Sequence, residues 1–241
     1  MNDLFNILIL CGGRGKRMGS DLKRIPKPLH RINNVTILEH KIMNYYNQGF
    51  KDILLAVGYQ GDVIRKTLRG LKLPKDINIE FSDAGGNAGI LKRICEARNF
   101  FGDSVLITYG DTFTNLNLFE LGNVHTNSTN EATIVVAPFR NPFGLVEYDD
   151  QQKVIHFKEK PILKYYIGYA IINKTSLDLI PKKVIEMPDG DGIVTFYRIL
   201  SAMNELGVYF HSDLHVTFNT PEELEIAKQE IANFFTVKDM E

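Results

Sequence analysis

Ile7-Leu8-Ile9-Leu10-Cys11-Gly12-Gly13-Arg14-Gly15-Lys16-Arg17-Met18 is an apolar run that opens straight into a glycine-rich, cationic loop, and Pro26-Lys27-Pro28 follows soon after. An apolar run this short, stopped by glycines, predicts a buried strand. The loop behind it supplies what an oxyanion needs: glycines admit main-chain N–H groups to close range, and cations offset the charge. Two prolines around Lys27 fix its backbone and lower the entropy lost in presenting one ammonium. The pattern points to a polyphosphate ligand. Taken singly, the same residues also read as a glycine-rich turn with solvated cations and an exposed loop lysine. A dinucleotide fingerprint is incomplete, because Met18 stands where the third glycine would pack, and no Gly-Lys-Ser/Thr closes a Walker loop.

Outward from that loop, strand-like and helix-like segments alternate. Strands are predicted over 53–57, over 77–81 and over 105–108, the last running into Tyr109-Gly110-Asp111. Helical spacing links Ile37, Leu38, Ile42 and Tyr45, then Val63, Ile64 and Leu68, then Ile90, Leu91, Ile94 and Ala97. This rhythm predicts an α/β, Rossmann-like, mixed but mostly parallel sheet with helices on both faces. After about residue 132 the rhythm changes to small β additions. Strands are expected over 132–137, 169–172 and 208–210, and a hairpin joins 145–148 to 154–157 through Asp149-Asp150. Thr220-Pro221-Glu222-Glu223 starts a last helix running to about Phe235. Ligands of open α/β sheets bind at the carboxyl ends of strands, which gathers the loops after Leu10, Phe81 and Tyr109.

At 241 residues, one domain (1–241) with a sizeable core is expected. A formal net charge of −1 gives no global field for nucleic acid or an anionic membrane surface. Cys11 and Cys95 make neither a disulfide framework nor a zinc cluster and read as free thiols. With no signal peptide and no apolar run of membrane-spanning length, a cytoplasmic setting is expected.

The stretch from Leu10 to Met18 followed by Pro26-Lys27-Pro28 resembles the signature of the sugar-1-phosphate nucleotidyltransferases, roughly L-A-G-G-x-G-T-R-L and then K-P. Cys11 replaces the usual alanine, Lys16 the threonine and Met18 the leucine. The Cys11 thiol is thereby placed beside the loop, where alkylation is expected to reach it. Val57-Gly58-Tyr59, Tyr109-Gly110-Asp111 and Phe157-Lys158-Glu159-Lys160-Pro161 match further motifs in order, so the resemblance spans nearly the whole chain.

The resemblance implies the nucleotide-diphospho-sugar transferase fold, with a nucleotide-binding half (1–131) and an acceptor-binding half (132–241). It implies a nucleotide site of Leu10, Cys11, Gly12, Gly13, Arg14, Gly15, Lys16, Asp83, Ala84, Gly89, Tyr109 and Gly110. Arg17 would contact the β- and γ-phosphates, and Lys27 would bridge the α-phosphate and the attacking phosphate. In-line displacement concentrates charge on phosphate oxygens, so fixed cations and a metal supply most of the catalysis. Mg²⁺ would sit on Asp111, with Asn219 as a neutral oxygen ligand where relatives carry an acid; Asp111 also reads as a plain strand-end turn residue. The loop from Ser82 to Arg93 would read the base, or else be a flexible lead-in to a helix. Gly144, Glu159, Lys160 and Gly168 would face the acceptor.

Leu91-Lys92-Arg93 and Ile107-Thr108-Tyr109-Gly110-Asp111 are most similar to the glucose-1-phosphate cytidylyltransferase branch, which favours CTP as the NTP. Tyr166-Ile167-Gly168-Tyr169 departs from the family's asparagine-containing stretch and predicts an acceptor other than glucose 1-phosphate: a heptose or other modified sugar phosphate, or a small phosphate such as phosphocholine. The activity implied is Mg²⁺-dependent nucleotidyl transfer to a small phosphorylated acceptor with release of pyrophosphate, feeding surface-polysaccharide assembly, in a chain open to homo-oligomer formation. Two rivals remain: a guanylyltransferase for heptose or mannose 1-phosphate, and a nucleotide-binding regulatory paralogue.

Overall fold

The opening apolar run forms β1 (Asn6–Leu10), with every residue after Asn6 buried. The computed structural model of the chain describes residues 5–15 and 25–234. Beyond β1 the chain makes a short turn at Lys27–Leu29 and a small ladder, β2 (Arg31–Ile32) and β3 (Val35–Thr36). Asn33 and Asn34 turn that ladder with φ of 48° and 68°, the left-handed pair a two-residue hairpin needs. Thr36 caps α1 (Ile37–Asn47) by accepting from the Glu39 N–H at 3.1 Å. Then come β4 (Asp52–Val57), α2 (Gly61–Arg69), β5 (Asn78–Asp83), α3 (Ile90–Glu96) and β6 (Ser104–Tyr109). The next elements are β7 (Thr112–Thr114), α4 (Leu118–Thr126), β8 (Ala132–Arg140), β9 (Leu145–Tyr148), β10 (Val154–Lys158) and β11 (Ile162–Asn173). Finally come α5 (Lys182–Ile185), α6 (Asp191–Ala202), β12 (Leu206–Phe210), β13 (His215–Thr217) and α7 (Pro221–Phe234).

Seven strands form one sheet in the order β12-β8-β11-β6-β1-β4-β5. All neighbours are parallel except at β11, which runs antiparallel to both β6 and β8. The sheet is therefore mixed and mostly parallel. Alternation along its strands sorts two cores. Ile7, Ile9, Ile53 and Leu55 pack with Leu38 and Ile42 of α1, Ile64 of α2 and Leu118 of α4. Leu8, Leu10, Leu54 and Ala56 pack on the opposite face with Leu91 of α3, Val184 of α5 and Phe196 of α6. A third cluster joins Phe113, Val216 and Phe218 to Leu224, Ala227 and Ile231 of α7. Among the described residues, no helix is long and apolar enough to cross a membrane.

The second half corrects several boundaries. The strand expected over 169–172 is the 12-residue β11, because its first half pairs with the tail of β8, Ile162 opposite Arg140. A register shift between Tyr166 and Ala170 breaks that ladder, with Gly168 at φ 81° inside it. The expected Asp149-Asp150 turn is wider. Asp149 Oδ1 accepts from the N–H groups of Gln151 and Lys153, and Gln152 has φ 62°. α4 and α6 carried signals the sequence reading passed over. Asn117 caps α4 by accepting from Phe119 and Glu120 N–H, and Ile193, Phe196 and Leu200 recur on one face of α6.

Candidate active site

At the carboxyl ends of β1, β5 and β6 lies a cleft of about 750 Å³. Its walls are residues 10–15, Lys27 and Pro28, residues 86–88, Ile90 and Arg93, residues 109–112 and 188–190, Thr217 and Asn219. Main-chain bonds fix the first loop on the strand ends. Cys11 N–H donates to Ala56 O at 2.9 Å, Gly110 N–H to Leu10 O at 3.0 Å, and Tyr59 N–H to Gly12 O at 3.3 Å. Gly110 is required by packing, since a Cβ there would stand 2.8 Å from Pro28 Cγ.

Lys27 is the hub of the cleft. Its Nζ donates to Asp111 Oδ2 at 2.9 Å, to Phe218 O at 3.0 Å and to Asn219 Oδ1 at 3.4 Å. Phe218 is buried in the third core cluster, which anchors this carbonyl. Thr220 Oγ1 accepts from the Glu223 N–H at 3.2 Å, and the Glu223 carboxylate accepts from the Asn219 N–H at 2.6 Å, so the start of α7 holds Asn219 in place. Three of the expected residues, far apart in sequence, thus converge on one point. The donor set suits a magnesium ion that shares its coordination with phosphates: Asp111 offers a carboxylate, Asn219 a neutral oxygen, and the Lys27 ammonium already stands between them as a cation. Among the described residues no cluster of three or more His, Cys, Asp or Glu would hold a metal unaided.

Arg93 lies beneath the glycine loop, 5% exposed, and donates from Nη1 to Val57 O at 2.6 Å. A Cβ at Gly12 or Gly58 would come within 2.3 Å or 2.0 Å of that nitrogen, so these two glycines make room for a guanidinium. Burial draws the Arg93 pKa below the usual arginine range, with the Asp83 carboxylate opposing. Arg14 donates to Asn87 Oδ1 at 2.5 Å and lies 5.1 Å from the Tyr59 ring centre, tying the first loop to the loop after β5. Lys41, fully buried on the inner face of α1, donates to Tyr169 OH at 2.7 Å and to the Thr112 carbonyl. It braces the segment that carries Asp111. The sequence placed Arg93 only at the end of the base-reading loop and gave Lys41 no role, although Lys41 follows Leu38 at helical spacing on an otherwise apolar face. The Pro188-Asp189-Gly190 wall was also missed, despite its turn signature.

Leu10, Cys11, Gly12, Gly13, Arg14, Gly15, Tyr109 and Gly110 all line the cleft, together with Lys27, Asp111 and Asn219. Lys16 and Arg17 lie outside the described residues. After β5 the lining is Gly86, Asn87 and Ala88, not Asp83, Ala84 or Gly89. Asp83 is occupied elsewhere: it accepts from the Gly85 N–H at 2.9 Å and pairs with Arg65 at 3.4 Å. Gly89 is a packing residue, where a Cβ would meet Met187 O at 2.2 Å. Gly144, Glu159, Lys160 and Gly168 do not line the cleft either. The first three sit around the β9–β10 ribbon, and Gly168 lies behind Tyr109, whose ring a Cβ there would meet at 2.4 Å.

The expected alkylation of Cys11 is corrected. The side chain lines the cleft but is 3% exposed, and burial pushes its thiol up to about 12. At pH 8 about one thiol in ten thousand is then ionised. Iodoacetamide on the native protein is expected to leave Cys11 unmodified over hours; rapid loss of this thiol in peptide mapping would contradict the buried placement.

The nucleotidyl transferase family profile matches residues 6–234. The chain is 28% identical, over 90% of its length and 92% of the relative's, to a Bacillus subtilis protein named "Probable glucose-1-phosphate cytidylyltransferase". It is 33% identical to the D-glycero-alpha-D-manno-heptose 1-phosphate guanylyltransferase of Campylobacter jejuni, over 65% of this chain and 69% of that one. Its fold matches that of a Bacillus anthracis protein solved with sucrose, with a TM-score of 0.74, 18% identity, and coverage of 97% of this chain and 98% of that one.

Proposed function

The chain belongs to the nucleotidyl transferase family, and from that premise we propose that it moves a nucleotidyl group from an NTP, CTP favoured, to a sugar 1-phosphate or similar small phosphorylated acceptor, releasing pyrophosphate. The observation that carries this reading is Lys27, held between Asp111 and Asn219 at the wall of a glycine-lined cleft. Main-chain N–H groups of residues 12–15 and the Arg14 guanidinium receive the triphosphate, and Arg17, by resemblance, meets its far end. Lys27 turns from its resting partners to the α-phosphate. An acceptor phosphate oxygen, already ionised, forms the new P–O bond as the α–β bridge breaks, and the electron pair leaves with pyrophosphate. No general base is required. Asp111 and Asn219 would hold Mg²⁺, which offsets charge on the reacting phosphates when bound.

Two comparisons pull on the base. Likeness across nearly the full chain to the Bacillus subtilis protein favours CTP. The Campylobacter guanylyltransferase, at higher identity over a shorter span, supports GTP with a heptose 1-phosphate as a second reading. Pyrophosphate release should be measured with Mg²⁺, each of the four NTPs and a panel of sugar and alcohol phosphates. Release with CTP and one acceptor is expected, and CTP should give the largest thermal shift. Release only with GTP would install the second reading, and none with any pair would sink both.

A further inference from the structure

Arg93 is a buried cation whose donors are mostly unused. It stands on the buried side of α3, 5% exposed, and lines the cleft. A guanidinium carries five N–H donors in one plane. Among the described residues, Val57 O is the acceptor it meets, and Nη1 alone serves it. Nε and Nη2 are not among the buried side-chain atoms left without a partner, so they open into the cleft. The Asp83 carboxylate acts on Arg93 through space but is bonded to the Gly85 N–H and to Arg65. Holding one carbonyl does not explain a buried charge, because a neutral donor would do that at lower desolvation cost. Two glycines also clear the way for it: a Cβ at Gly12 or Gly58 would come within 2.6 Å or 2.7 Å of Cζ. The plane has little room to turn, and its free edge is left to a ligand.

We propose that Arg93 selects the base of the NTP by donating from this edge to two neighbouring acceptor atoms of cytosine, O2 and N3. This rests on the nucleotidyl-transfer reading of the cleft, which puts the α-phosphate at Lys27. Arg93 is bonded at the carboxyl end of β4, and Lys27 is bonded to Asp111 just past the end of β6, with β1 between them. Two strand spacings make roughly 10 Å, a gap the ribose spans, which brings the base rather than a phosphate to Arg93. The fork is also a filter. Uracil and thymine carry a hydrogen on N3, and adenine sets its amino group beside N1 and N7, so each would meet donors with a donor. Guanine, with O6 beside N7, is the rival base the same fork admits.

Binding is measured on the full chain with Mg²⁺ and without acceptor, so the result does not depend on turnover. Calorimetry is expected to give CTP at least about tenfold tighter than UTP. Arg93→Lys keeps the charge but loses the planar fork, and should bring CTP to within about threefold of UTP. 3-Deaza-CTP, with C–H in place of N3, puts the same question to the unmutated protein and should bind about tenfold more weakly than CTP. Uniform weakening of CTP, UTP and inorganic triphosphate by Arg93→Lys would make Arg93 a phosphate ligand and overturn the proposal. Equal binding of CTP, UTP and 3-deaza-CTP by the wild type would overturn it too, as would a variant with a lower Tm and its selectivity intact. A preference for GTP over ATP that Arg93→Lys erases would overturn cytosine in favour of guanine. A wild type that selects CTP through Arg93 yet releases no pyrophosphate with any acceptor ends the transfer reading and leaves the base selection standing; one that binds no NTP ends both.

Discussion

Lys27→Ala is expected to lower kcat by about three orders of magnitude while weakening NTP binding by about tenfold at most. The asymmetry follows from where the ammonium sits. Its side chain is 14% exposed and its partners are a carboxylate, a carbonyl and an amide oxygen, all at the cleft wall. In the resting protein it neutralises Asp111. During transfer, the charge it meets grows as the α-phosphorus becomes crowded with oxygens, so its contribution is largest at the top of the barrier. Fold stability should change little, because the oxygens left behind border an open cleft. Lys27→Arg should not rescue: a planar fork cannot take the place of a compact ammonium among three close oxygens. Single-turnover rates and equilibrium NTP binding separate the effects. A fall in affinity with turnover within tenfold of wild type would favour the regulatory paralogue over the enzyme.

Gly89→Ala is expected to destabilise the fold by about 3 kcal/mol, roughly a 10 °C drop in Tm for a chain of this size. The new Cβ would lie 2.2 Å from the Met187 carbonyl oxygen, and that carbonyl has little room to move. Next to it, Ile90 N–H donates to Asp189 O at 2.8 Å, so the 187–190 wall and the first turn of α3 are bonded together. Gly13→Ala is the matched control. Nothing lies within 4 Å of a Cβ at Gly13, so stability should hold while NTP affinity falls, because the space is reserved for ligand approach. Thermal unfolding with and without nucleotide reads both. An unchanged Tm for Gly89→Ala would show that the wall yields, and unchanged NTP affinity for Gly13→Ala would remove that glycine from the phosphate path.

The parts of the fold legible in the sequence are those buried on both faces. β1, β4 and β6 carry continuous apolar runs because water reaches neither side of the sheet centre, and such runs announce themselves. The outer halves of β8 and β11 do not, since Phe139, Ile162 and Tyr165 there are exposed and interleaved with charge. The site follows the same logic. The glycine loop, Lys27, Asp111 and Asn219 were each legible as residue types, but their meeting was not, because a lysine 84 residues from its carboxylate is joined to it only by the tertiary fold. The loop expected over 82–93 does reach the cleft, but through Gly86, Asn87 and Ala88 at its middle rather than through Asp83, Ala84 and Gly89 on either side of them. Asp83 has the chemistry of a ligand contact, yet its two oxygens are engaged by the local turn and by Arg65, which leaves Gly86 and Asn87 to face the cleft. Lys41 was invisible for a different reason. A lysine with no carboxylate partner among the described residues, satisfied by a tyrosine hydroxyl and a carbonyl, breaks the expectation that charges stay outside.

The antiparallel strand β11 divides the sheet along the chain as well as across it. On one side β5, β4, β1 and β6 draw only on residues up to Tyr109; on the other, β8 and β12 draw only on residues after Glu131. A chain emerging from the ribosome amino end first can therefore finish a four-stranded parallel block, with α1 to α3 packed on it, while the rest is still being made. Until β11 arrives, that block exposes β6 as a raw edge with Val105, Leu106 and Ile107 along it. The interval between the two events is when the nascent protein is most open to sticking, and one late strand ends it.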